Sequence, residues 1–135
     1  MSASADLPHD AARQHVSGSA RYVDDIPTPQ GTLHLAFGLS SCAAGQIKSV
    51  DLDAVRACPG VHLVLEAKDL PHANDVSPSA HDEPLLADGR VHYAGQPIFL
   101  VVAESHHLAR RAARLATVEI AAEPAILTIE QALAA

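Results

Sequence analysis

Nine histidines are spread along a chain of 135 residues. Imidazole is the commonest protein metal ligand and the side chain whose charge changes nearest neutral pH, so spacing decides what these histidines can do. His106 and His107 are adjacent, and on a helix they diverge instead of aiming at one ion from i, i+4 positions. In His81-Asp82-Glu83-Pro84 an imidazole stands beside two carboxylates, a donor set suited to a hard or borderline metal. Three consecutive residues of an extended loop do not point one way, so a metal there would need a sharp bend and a distant fourth ligand. The third candidate is Gly95-Gln96-Pro97, placed directly before the apolar run from Ile98 to Ala103. Gly95 admits an unusual backbone angle and Pro97 fixes the entry to a strand. Gln96 can bond loose backbone groups, or donate to a cofactor or a neighbouring domain.

Covalent and phosphate chemistry have weaker footholds. Ser17 and Ser19 lack the strand-turn-helix setting of a nucleophile elbow, and no Ser-His-Asp or Cys-His arrangement is visible in local spacing. Cys42 and Cys58 form no C-x-x-C pair, so they do not assemble a zinc or iron–sulfur site by themselves. Cys58, before Pro59, reads as a small packed hydrophobe. Neither a G-x-G-x-x-G nor a Walker loop is present.

Composition narrows the partners. A formal charge of −7 repels a phosphate backbone, and the single basic cluster, Arg110, Arg111 and Arg114, lies in one helix, which argues against nucleic acid and anionic membrane. With 3% aromatic residues and no Trp, base stacking is poorly supplied and the core must be built from Val, Leu, Ile and Ala. The 48% hydrophobic content suffices for one core in a chain of this length. The start, MSASADLPHD, has neither a basic leader nor an apolar signal core, and no run approaches a membrane span, so a cytoplasmic chain with free thiols is expected.

The elements that must position these groups follow from periodicity. Residues 1–29 read as irregular, with a short strand near Arg21 to Val23. Leu33, Leu35, Phe37 and Leu39 alternate with His34, Ala36 and Gly38, predicting a strand with its large residues on the core, paired with a second strand in GQIKSVDL. DLDAVRACPG predicts a short helix capped by Asp51 and stopped at Pro59-Gly60, and VHLVLEA a further strand followed by one helical turn at KDLP. His72 to Gly89 reads as an extended loop. Ile98 to Ala103 is expected to be a strand buried on both faces, and Ser105 to cap an amphipathic helix. A last strand breaks at Pro124, and Thr128 and Gln131 stand in capping-box spacing. No linker divides the chain.

Taken in order, GSARYVDDIP, LHLAFGLS, IKSVDLDAVRACPGV, HDEPLLADGRVHYAGQPIFLVVAES and PAILTIEQAL cover nearly the whole chain. In that order they resemble the N-terminal α/β-hammerhead domain of the molybdenum-binding subunit of xanthine dehydrogenase and aldehyde oxidase-type hydroxylases. DEPLLAD with YAGQP is most similar to the bacterial xanthine dehydrogenase branch. Ala44 departs from a His found in many relatives, and AAEP before Ala125 from a more acidic, Leu-Pro-containing version.

The resemblance implies an α+β hammerhead: a mixed sheet with short helices and one longer amphipathic helix, residues 1–135 forming one domain at the N-terminus of a longer subunit. It implies a scaffold within an oxidoreductase that converts hypoxanthine and xanthine to urate, the chain alone being inactive. The family's catalytic glutamate and pterin-holding segments lie in downstream domains. No catalytic, cofactor-binding or metal residue is therefore assigned here. Molybdenum-molybdopterin, 2Fe-2S clusters and FAD belong to the complete enzyme. The partners implied are the downstream molybdopterin domains and the iron–sulfur and FAD modules, and an exposed docking surface would let two copies associate. The alternative is an independent metal- or ligand-binding module using His81, Asp82, Glu83 and the Gly95 to Pro97 corner.

Overall fold

A computed structural model describes residues 9 to 135. The start from which the absence of a leader was read lies, up to residue 8, outside the described residues. Two units are distinguished, one ending at Thr32 and one running from Leu33 to Ala135.

In the first unit, helix α1 (Ala12–Ser17) ends in a turn where the Ser19 N–H donates to Gln14 O at 2.9 Å. The strand expected near Arg21 to Val23 is replaced by a 3₁₀ turn at Val23–Asp25. The Tyr22 N–H donates to the Asp25 carboxylate at 3.0 Å, a local bond that offers the backbone a turn in place of a ladder.

The second unit holds six strands: β1 (His34–Leu39), β2 (Gly45–Asp51), β3 (Val61–Glu66), β4 (Arg90–Val91), β5 (Pro97–Ala103) and β6 (Thr117–Ala122). Helix α2 (Asp53–Arg56) follows β2, α3 (His106–Ala113) follows β5 and α4 (Ile129–Leu133) follows β6. The fold is α+β as expected, but in place of one mixed sheet there are two three-stranded sheets, ordered β1-β5-β3 and β4-β2-β6 and antiparallel throughout. The expected pairing of the first two long strands does not occur: β1 pairs with β5, and β2 with β4 and β6.

Two of the three expected caps form. The N-cap of α2 is Leu52 and not Asp51, which ends β2 and accepts the Asp53 N–H at 3.0 Å, whereas the Leu108 N–H donates to Ser105 Oγ at 3.2 Å as expected. Thr128 and Gln131 close a reciprocal box at the start of α4.

The burial of β1 is inverted relative to expectation. Ala36, Gly38 and Ser40 are buried, while Leu35, Phe37 and Leu39 remain 54%, 44% and 57% exposed. The cause is on β5. Gly38 faces Phe99 in the register, and a Cβ on Gly38 would lie 2.0 Å from the Phe99 ring. The fully buried Phe99 thus occupies the space that a side chain at Gly38 would need. Ala109 and Ala112 of α3 are wholly buried in the same core as Ala36 and Phe99, and small residues on both sides let a helix approach a sheet closely.

On β5, Ile98, Phe99, Val101 and Ala103 are buried, but Leu100 and Val102 are partly exposed, so the second face is covered less fully than expected. Leu35 and Leu63 flank Val102 in the register, and Phe37 and Leu65 flank Leu100. One face of this sheet is therefore core and the other is an open apolar surface.

Gly38→Ala should destabilise the second unit by about 3 kcal/mol through overpacking against Phe99. Urea unfolding measures it, and Phe99→Leu in the same chain should recover part of the loss. An unchanged midpoint in the single variant would remove the Phe99–Gly38 contact from this account.

Candidate functional site

The Gly-Gln-Pro corner joins the end of β1 to the start of β5. Gly95 sits at φ +86°, in the left-handed region, and this turns its N–H onto Ser40 O at 2.8 Å. The Ser40 N–H returns the contact to Gln96 O at 2.8 Å, and the Gln96 N–H donates to Tyr93 O at 3.3 Å. The Gln96 side chain is 2% exposed, and its Oε1 accepts the His92 N–H at 2.7 Å. Ser40 Oγ closes the far side by donating to Cys42 O at 2.8 Å and accepting from the Cys42 N–H at 3.0 Å. Gln96 thus braces a turn, supplying the acceptor that a buried backbone donor needs.

The acidic loop reaches the same corner. Asp82 and Glu83 line a cleft of about 380 Å³ with Val76, Pro84, His92, Tyr93 and Gln96. His81 does not line it. This residue is the sole non-glycine at positive φ among the described residues, and its Nδ1 is bonded to Asp75 Oδ2. Ser77 Oγ receives the N–H groups of Ala80 and His81, and Asn74 clamps the Leu86 peptide by giving to its carbonyl at 2.7 Å and taking its N–H at 2.9 Å. The loop is held by its own short polar side chains.

No three His, Cys, Asp or Glu side chains converge among the described residues. His106 and His107 border one surface depression, but its other walls are Arg110, Arg111 and Arg114, whose charge disfavours a cation. Cys42 Sγ donates to Ala44 O at 3.0 Å and Cys58 is packed against the core. The described residues do not compose a ligand set for a molybdenum centre or an iron–sulfur cluster. Among the described residues, two surface groups have shifted pKa values. Glu66 raises Lys68, by hydrogen bond and then by charge. The Glu130 carboxyl is lowered by its own backbone N–H and then by Thr128.

The second feature is the open sheet face, which the sequence reading missed as a surface. Its signal was the row Leu33, Leu35, Phe37, Leu39, assigned instead to the core. With Leu63 at 49% exposure on β3, it forms one apolar patch across three strands. Contiguous exposed patches of this kind mark interaction surfaces or ligand grooves. The geometry is that of a part with an apolar face available for contact.

The comparisons agree with such a part. The family model described as "Aldehyde oxidase and xanthine dehydrogenase, a/b hammerhead domain" matches residues 17–124. The xanthine dehydrogenase of Drosophila subobscura is 44% identical over 127 residues, covering 93% of this chain and 9% of the relative. That of rice, Oryza sativa subsp. japonica, is 41% identical over 127 residues, with 94% and 9% covered. Among solved structures, the aldehyde oxidoreductase of Desulfovibrio gigas superposes with a TM-score of 0.81 at 32% identity, covering 93% of this chain and 15% of that one. The chain thus spans about a tenth of the length of these xanthine dehydrogenases.

Gln96→Ala leaves the His92 N–H without its acceptor and should cost about 1–3 kcal/mol of stability, whereas Gln96→Glu retains an acceptor oxygen there. Urea midpoints of the two variants check this: an unaltered midpoint in Gln96→Ala would show the brace to be idle.

Proposed function

Because the chain belongs to the aldehyde oxidase and xanthine dehydrogenase a/b hammerhead family, we propose that residues 1–135 form the N-terminal hammerhead domain of a longer molybdenum hydroxylase subunit, acting as a scaffold. The observation that carries this reading is the open apolar face of β1-β5-β3. A surface holding Leu35, Phe37, Leu39 and Leu63 is stable in water only at a cost, and burying it against another domain releases about 25 cal/mol per Å² of apolar area.

The complete enzyme, on this proposal, is a cytoplasmic xanthine dehydrogenase that oxidises hypoxanthine and xanthine to urate. The molybdenum-molybdopterin group supplies the hydroxylation with oxygen drawn from water, and 2Fe-2S clusters and FAD carry the electrons away. All of these groups are held outside this chain. Its own part is to cover the neighbouring molybdopterin domains with the open face, keeping that apolar contact dry. Left without those domains, the same face pairs two copies of the chain.

A second reading is favoured by the cleft that brings Asp82 and Glu83 beside Gln96: an independent ligand-binding module. It would demand stoichiometric ligand or metal in the isolated chain, lost on removing those carboxylates.

An antibody against this segment should recognise, in cell extract, a polypeptide several times longer than 135 residues that carries molybdenum. A free 135-residue chain without molybdenum would overturn the scaffold reading. The purified chain should sediment as a concentration-dependent dimer, and Phe37→Asp should abolish that dimer without altering the unfolding midpoint.

A further inference from the structure

The inference here rests on the docking role proposed above and names what docks. We propose that the free edge of β1 accepts a fourth strand, an extended segment of polypeptide from outside this chain in which apolar and acidic residues alternate.

Among the described residues, strand β1 pairs only with β5, so its other edge has backbone N–H and C=O groups without a strand partner there. Proteins usually blunt such an edge with charge, proline or a bulge. The sequence from His34 to Leu39 contains no Lys, Arg, Asp, Glu or Pro, and its one register irregularity falls at the far end, between Gly38 and Leu39. The opposite edge of the same sheet is treated differently. On β3, His62 lies 3.5 Å from the Glu104 carboxylate, and Glu66 pairs with Arg56 at 3.3 Å and Lys68 at 2.9 Å. One edge is guarded and the other is left open.

A groove of about 310 Å³ is lined by Phe37, Gly38 and Leu39 of β1 and by Arg110, Ala113 and Arg114 at the end of α3. Among the described residues, Arg56 and Arg90 have carboxylate partners, while Arg13, Arg21, Arg110, Arg111 and Arg114 have none, and three of these are clustered at α3. Basic residues suit the last turn of a helix, but that accounts for their position and not for guanidinium groups left unneutralised in a chain of charge −7.

Successive side chains of an added strand point to opposite faces. One row would lie beside Leu35, Phe37 and Leu39, and the other would face Arg110 and Arg114. The first demands apolar residues and the second carboxylates. Backbone bonding and the apolar row supply most of the affinity, and the charges set specificity. A second copy of β1 fits badly, because antiparallel pairing of two such edges places both sets of arginines on the same face of the continuous sheet.

The test uses the ¹⁵N-labelled 135-residue chain and two synthetic probes, acetyl-Thr-Val-Glu-Val-Glu-Val-Thr-amide and its counterpart with Lys in place of Glu. Amide signals of residues 34 to 38 should shift and gain exchange protection with the Glu peptide, which should bind about fivefold tighter than the Lys peptide. The double variant Arg110→Glu/Arg114→Glu, altered only at exposed positions, should keep its signal dispersion and reverse that preference. Equal binding of the two peptides, no binding at millimolar concentration, or shifts confined to the Leu63 and Val102 face without protection of β1 would each overturn the inference. The last result would leave the docking role standing; that role fails separately if the native polypeptide proves to be free and without molybdenum.

Discussion

The ring of Phe99 lying across Gly38 is the contact on which the second unit depends. It makes the core side of β1 a row of small residues, Ala36, Gly38 and Ser40, and it lets α3 approach through Ala109 and Ala112. A chain with two phenylalanines and no tryptophan builds its core mainly from small and aliphatic side chains. It closes the space by bringing helix and sheet together around one large ring. The large residues of β1 are thereby sent to the opposite face. The open apolar surface is thus a consequence of how the core is packed.

That consequence links packing to function. The sheet is a half-finished layer, with a helix on one side and Leu35, Phe37, Leu39 and Leu63 on the other. Domains are stable when both faces of a sheet are matched to their surroundings. On the scaffold proposal that condition is met only in company, in line with a family whose members include polypeptides about ten times longer. The free β1 edge and the unpaired arginines of α3 border the same region, so backbone, apolar and ionic complementarity converge on one strand.

The Gly95-Gln96-Pro97 corner illustrates the opposite outcome, a polar cluster that resembles a site and is explained by backbone accounting. Each of its polar groups with an assigned partner answers a donor or acceptor at the junction of β1 and β5: Ser40 with Gly95 and Gln96, and His92 with the Gln96 side chain. His81, the most suggestive residue of the acidic loop, is turned away to Asp75 and takes no part in the cleft that Asp82 and Glu83 share with Gln96.

Local chemistry was readable from the chain alone. The caps at Ser105 and Thr128, the strands from periodicity, the loop between β3 and β4 and the role of Gln96 as a bond to loose backbone all depend on residues within a few positions of one another. So did the family resemblance, which lies in the order of short motifs. Three things required the tertiary structure. The partner of β1 is β5 and not β2, the apolar row of β1 faces outward, and two antiparallel sheets replace one mixed sheet. Alternation along a strand says that two faces differ but not which one meets the core. That choice was made by a residue some sixty positions away, because the Phe99 ring and a side chain at position 38 cannot occupy the same space.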